Sequence, residues 1–120
     1  PGYGGTQRLV QYIGRTKATE LILTGDFLGA AEAHRLGLLN YVTATGEEAE
    51  AKAAELIEKT ATKGPVAIAE CIASINAYFT DGVNGFDAES AAFGRTTETA
   101  DFREGASAFV EKRKAEFKGE

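Results

Sequence analysis

Thr45-Gly46-Glu47-Glu48-Ala49-Glu50-Ala51-Lys52-Ala53-Ala54-Glu55-Leu56-Ile57-Glu58-Lys59-Thr60-Ala61 is the stretch on which the fold class turns. Thr45 and Glu48 have the spacing of a capping box, in which a hydroxyl and a carboxylate satisfy the free N–H groups that open a helix. Behind them Ala49, Ala53, Leu56, Ile57 and Ala61 recur at the helical period, so one face is apolar. Toward the C-terminus, Pro65 suits the first position of a helix whose buried face would be Ile68, Ile72, Ile75 and Phe79, stopped by Asp81 and Gly82. A further helix over about 85–96 puts Phe86 and Phe93 on one side. The last starts after Thr99 as N-cap, with Asp101 in its first turn and Phe102, Ala106, Phe109 and Val110 aligned.

Toward the N-terminus the same reading gives three shorter helices. One runs from Gly4 and Gly5 to Gly14 with Leu9, Val10 and Ile13 as its stripe. The next covers about 16–24, burying Ala18, Leu21 and Ile22, and the third covers about 31–36 and closes at Gly37. Leu38, Leu39, Tyr41 and Val42 form the only stretch that reads as extended, and hence the only candidate strand. The expected fold class is mainly α.

Composition excludes several functions. The 43% hydrophobic and 26% charged content is that of a folded domain, and 120 residues suffice for one core but not two. With 18 acidic against 13 basic residues the net charge is −5, which opposes binding to nucleic acid. No apolar run is long enough to span a membrane, and no signal peptide is visible. The single cysteine, Cys71, excludes an intrachain disulfide and suits a reducing, cytoplasmic setting. A chain that opens on Pro1 and holds no methionine is expected to be a piece of a longer protein.

Chemistry concentrates at the two ends. Gly2, Gly4 and Gly5 precede the first helix, where free N–H groups at a positive dipole end could meet an anion or a water; a plain tight turn is the alternative. No Gly-Lys-Ser/Thr follows, which rules out a P-loop, and no strand precedes, which removes the context for a dinucleotide fingerprint. His34 reads as a solvated surface residue and Cys71 as packing; neither has the neighbours for a metal site or a nucleophile. Acid pairs such as Glu47 with Glu48, or Asp101 with Glu104, are accounted for by helix N-terminal electrostatics. At the other end Phe109, Lys112, Arg113 and Lys114 read as one helix presenting a ring and cations. That suits a phosphate-bearing nucleotide-like ligand, or equally a solvated helix end whose cations complement the dipole.

Pro1-Gly2-Tyr3-Gly4-Gly5-Thr6-Gln7-Arg8-Leu9, Leu23-Thr24-Gly25-Asp26, Ala31-Glu32-Ala33 with Gly37-Leu38, Asp101 through Glu104-Gly105, and Phe109-Val110-Glu111-Lys112-Arg113-Lys114-Ala115 resemble, in order and spacing, the enoyl-CoA hydratase/isomerase (crotonase) superfamily. The resemblance implies the C-terminal helical, trimerisation region of a ClpP/crotonase fold, without the N-terminal ββα spiral core. Residues 1–44 would be the end of the core and linker helices, and 45–120 the trimerisation region. It implies hydration of 2-enoyl-CoA thioesters in the complete protein, with the oxyanion hole and both glutamates lying before Pro1 and no catalytic carboxylate within the chain. Glu20 matches neither family glutamate. Gly2 corresponds to a backbone N–H near the attacking water, and Phe109 and Lys112 to positions that touch CoA held by a neighbouring subunit. Acyl-CoA would be the substrate, with no cofactor and no metal, and the partners further copies of the chain in trimers or dimers of trimers. A noncatalytic oligomerisation module, or an isomerase or hydrolase of the same family, is the alternative. Gly29 departs from the family pattern, which often has a capping serine there.

Overall fold

The computed structural model describes residues 2–120, among which there are seven α-helices and no β-strand. The chain forms two compact units, a first ending at Lys52 and a second from Ala53 to Glu120.

In the first unit, α1 (Gly5–Ile13) and α2 (Arg15–Thr24) pack against each other, separated only by Gly14 at φ 77, a left-handed conformation that suits glycine. Ala18 is fully buried, and Leu21 and Ile22 are half-buried. α3 (Ala30–Arg35) has Gly29 as an N-cap without a side-chain hydrogen bond, and its one buried residue is Ala33. Residues 38–42 do not form the expected strand. The N–H groups of Leu38 and Leu39 turn back to Ala33 O at 2.9 and 3.4 Å, closing α3 through Gly37. Extended backbone becomes a strand only with a second one to pair with, and the apolar run Leu39, Tyr41 and Val42 is left exposed.

α4 (Gly46–Ala61) is opened as its sequence requires: Thr45 Oγ1 accepts the Glu48 N–H at 3.2 Å. The reciprocal bond is displaced by one residue, with Glu48 Oε2 accepting from Ala44 N–H at 2.9 Å. Its apolar stripe is largely uncovered, Ile57 being 69% exposed.

The second unit holds α5 (Pro65–Ala77), α6 (Gly85–Thr97) and α7 (Ala100–Glu111), with α6 packed on both of the others. Small residues make the α5–α6 approach: Ala92 is buried, and a Cβ at Gly85 would lie 3.9 Å from the Tyr78 backbone. The Arg95 guanidinium then ties α6 to α5 through a two-pronged bond to Glu70 at 2.8 and 2.6 Å. Phe93 and Phe102 meet edge to face, 6.2 Å apart, between α6 and α7. Because alanine and glycine supply the contact, the expected buried face of α5 is not buried: Ile72, Ile75 and Phe79 are all more than half exposed, and Ile68 is half-buried. Cys71, expected to be packed, is exposed. The buried apolar residues among those described are Ala18, Ala33, Ala92 and Ala108.

Candidate functional site

The second unit places two of the three expected ligand positions on one turn. Thr99 Oγ1 caps α7 by accepting the Phe102 N–H at 3.0 Å. The helix stops at Glu111, so Lys112, Arg113 and Lys114 do not continue it as the sequence suggested. Lys112 instead takes the left-handed conformation at φ 55, ψ 35, and the Arg113 N–H reaches back to Ala108 O at 3.0 Å. Glycine ordinarily fills this closing position, and a side chain there costs about 1–2 kcal/mol. Phe109 is 86% exposed one turn before the bend, and Lys112 is exposed at it. The Lys112 ammonium forms no ion pair with a described residue, whereas Arg113 forms two.

Those two pairs belong to a network that the sequence did not suggest. The Arg113 guanidinium donates to both Glu104 oxygens at 2.5 and 2.8 Å, and its Nε donates to Glu111 Oε2 at 2.6 Å. Glu104 Oε1 also accepts the Glu116 N–H at 2.9 Å. The Arg113 guanidinium, and after it the Glu116 N–H, hold the Glu104 carboxyl down at about 2, and Arg113 is raised in turn by Glu104 and then Glu111. One turn earlier on α7, buried Asp101 accepts the N–H groups of Lys118 and Gly119 at 2.7 and 2.8 Å, while its own N–H donates to Glu120 O at 3.0 Å. Residues 113–120 are thus strapped back along α7 by Asp101 and Glu104. These carboxylates, expected only to favour the helix dipole, are acceptors for returning backbone. Phe117 fits over two glycines: a Cβ at Gly105 would lie 3.4 Å from its ring, and one at Gly64 3.7 Å.

Gly2 belongs to the first unit. Its carbonyl accepts the Gly5 N–H at 3.0 Å, its own N–H bonds to no described residue, and it is exposed. Tyr3 follows at φ 53, fully exposed, and Gly4 caps α1 at φ 80. The Arg8 guanidinium folds back to donate to Tyr3 O and lies 3.2 Å from where a Gly4 Cβ would be. This is the tight turn anticipated as the alternative reading, with an open N–H at its start.

The remaining candidates stay outside any catalytic arrangement. His34 is exposed, with Nδ1 2.9 Å from Leu39 O. No cluster of three or more His, Cys, Asp or Glu is suited to a metal among the described residues, and no helix there is long and apolar enough to cross a membrane. Between α5 and α6 lies a hollow of about 390 Å³ whose walls include Ala67, Cys71, Ser74 and Phe93. Beside it Arg95 lowers the Glu70 carboxyl below its usual value, engaging that acid structurally.

Residues 1–120 match the family model described as enoyl-CoA hydratase/isomerase. The chain is 44% identical to YngF, an enoyl-CoA hydratase/isomerase-type protein of Bacillus subtilis (strain 168), over 99% of its own length and 46% of that protein's. It is 40% identical to the mitochondrial methylglutaconyl-CoA hydratase of Mus musculus, over its full length and 40% of that protein's. The crystal structure of an enoyl-CoA hydratase from Bacillus anthracis superposes with a TM-score of 0.92 at 41% identity, over all of this chain and 46% of that one. The chain therefore spans about half the length of the relatives it matches, and corresponds to the helical C-terminal portion of their fold. A match across every residue, joined to a superposition of all the helices at that identity, makes the chain a member of the enoyl-CoA hydratase/isomerase (crotonase) family.

Proposed function

We propose that this chain serves as the C-terminal part of an acyl-CoA hydratase that adds water reversibly to 2-enoyl-CoA thioesters in the complete protein. The observation that carries this reading is the family match over all 120 residues. Its consequence for the site is a division of labour. The rest of the protein supplies an oxyanion hole for the thioester oxygen and the glutamates that move water and protons. This chain supplies binding: the Gly2 N–H toward the water, Phe109 and Lys112 toward the CoA portion, and helices of 45–120 toward other subunits of a trimer or a pair of trimers. Residues 1–44 end the core and lead into those helices. Acyl-CoA is the substrate and no cofactor is needed. An exposed Lys112 ammonium that pairs with no described residue, one turn from an exposed Phe109 ring, suits the phosphates and adenine of CoA.

The test compares the 120 residues alone with the complete protein on a short-chain enoyl-CoA. The chain alone is expected to be inert, because loss of even one oxyanion donor costs about 10²–10³ in rate. Hydration by the isolated chain near the complete enzyme's rate would overturn the division of labour. In the complete enzyme, Lys112→Ala should raise KM with little change in kcat, since a remote contact is made equally in ground and transition states. A noncatalytic oligomerisation module is the second reading, favoured by the uncovered apolar residues Ile72, Ile75, Phe79 and Phe86. It predicts that the complete protein itself lacks turnover while still assembling.

A further inference from the structure

We propose that Glu104 and Arg113 are positioning residues: their clamp sets the left-handed bend at Lys112 and so fixes where its ammonium meets the phosphate groups of an acyl-CoA. The inference rests on the binding role given to Lys112 above. Three observations carry it further. Lys112 holds a conformation that its side chain disfavours, at the one position where a glycine would close the helix without strain. The residue immediately after it is gripped on both sides, by Glu111 just before the bend and by Glu104 two turns back along α7. Finally, Glu104 also takes the Glu116 N–H, so one carboxylate ties both the start and the middle of the returning strap to the helix.

Arg113 is thereby occupied by carboxylates, whereas the Lys112 ammonium pairs with no described residue and is available to a ligand. A guanidinium suits the first task because its planar fork matches a carboxylate at two points, and an ammonium suits the second as a compact charge on a longer tether. Loss of the clamp would free the bend to relax toward ordinary backbone angles. The ammonium would then have to be ordered again on each binding event, at a cost in affinity.

The decisive variant is Glu104→Gln in the complete enzyme, because the two explanations for an effect have opposite signs. If the clamp contributed only to the surface field, removing a negative charge near Lys112 would tighten binding of a polyanion and lower KM. If it positions Lys112, KM for acyl-CoA should rise about threefold at low salt with kcat unchanged, the scale expected of a partly exposed ion pair. Arg113→Lys, which keeps the charge and loses the fork, should raise KM by a similar factor. In a Lys112→Ala background both changes should lose their effect on KM, since nothing remains to be positioned. A KM that falls or stays level in Glu104→Gln, or that rises equally in the Lys112→Ala background, overturns the positioning role while leaving the Lys112 contact intact. An unchanged KM in Lys112→Ala itself overturns the contact and the positioning together. Melting temperatures and circular dichroism of each variant identify misfolding; should Glu104→Gln misfold, Arg113→Lys carries the same comparison.

Discussion

Among the described residues the chain bends through left-handed backbone at two non-glycine positions, Tyr3 and Lys112, and the two turns are held by opposite means. Around Tyr3 the neighbours are glycines, and the side-chain tie is a bond from Arg8 to the Tyr3 carbonyl. Around Lys112 glycine is absent, and a guanidinium, an exposed carboxylate (Glu111), a half-buried one (Glu104) and a buried one (Asp101) fix the segment that follows. The first turn is shaped by permissive backbone and the second by specific acceptors. A backbone-held turn should tolerate side-chain change, and an acceptor-held one should not.

Asp101→Ala tests that difference with the largest expected effect. It leaves the Lys118 and Gly119 N–H groups without their charged acceptor in a partly buried place, and should cost about 3 kcal/mol in denaturant unfolding of the complete protein. Tyr3→Ala, at a fully exposed side chain, should stay within about 0.5 kcal/mol. Equal losses would erase the distinction between the turns.

A smaller effect is expected from the glycines under the strap. Gly105→Leu must displace the Phe117 ring, already in contact with where a first carbon would stand, and should cost about 1–3 kcal/mol. Gly94, also helical but with open space around its position, provides the control: Gly94→Ala should gain about 0.5–1 kcal/mol. The measurement is the midpoint and slope of urea unfolding.

Acid provides a third contrast. Glu104 is held at about 2 in the folded chain against an ordinary 4.5, so its contribution is present above pH 4.5 and is lost as pH falls from 4.5 to 2. Glu104→Gln should flatten the stability profile in that window relative to the parent. A profile as steep as the parent's would show that other carboxylates govern it.

A small effect on stability is also expected at Lys112 itself. Lys112→Gly relieves the strained backbone but frees the unfolded chain, so stability should change by less than about 1 kcal/mol. Acyl-CoA affinity should fall despite that, as in Lys112→Ala.

Local features were readable in the sequence wherever one residue acts on its neighbours. The Thr45 and Thr99 caps, the proline that opens α5 and the glycines that close α1 and α2 occur where their chemistry indicates. What was not readable depends on distance. The Asp101–Gly119 and Glu104–Arg113 bonds join residues 18 and 9 positions apart, across a bend that required an unfavourable lysine conformation. Phe117, an aromatic ring in a mostly charged tail, is a trace of them in the sequence that periodicity does not interpret. The nearness of Phe109 and Lys112 is readable from their spacing and their expected role toward CoA comes from the family likeness, but the left-handed bend that ends the helix between them is visible only in the structure. The α5 face was misjudged for a different reason. Periodicity shows which residues share a side, but not whether anything covers it, and α6 approaches through Ala92 and Gly85 instead.

Among the described residues the buried apolar positions are alanines, two in each unit, and this reverses the usual pattern of mutational sensitivity. In an ordinary core the damaging change is deletion of a large side chain, which leaves a void. Here, buried Asp101 apart, the buried positions have almost nothing left to delete, and the α1–α2 and α5–α6 pairs depend on close approach. The harmful substitutions are enlargements: Ala18 or Ala92 to valine or leucine should wedge adjacent helices apart, while serine should pass almost unnoticed. The large apolar residues vary under a separate constraint, set by whatever surface meets them, so the two classes of position can drift independently.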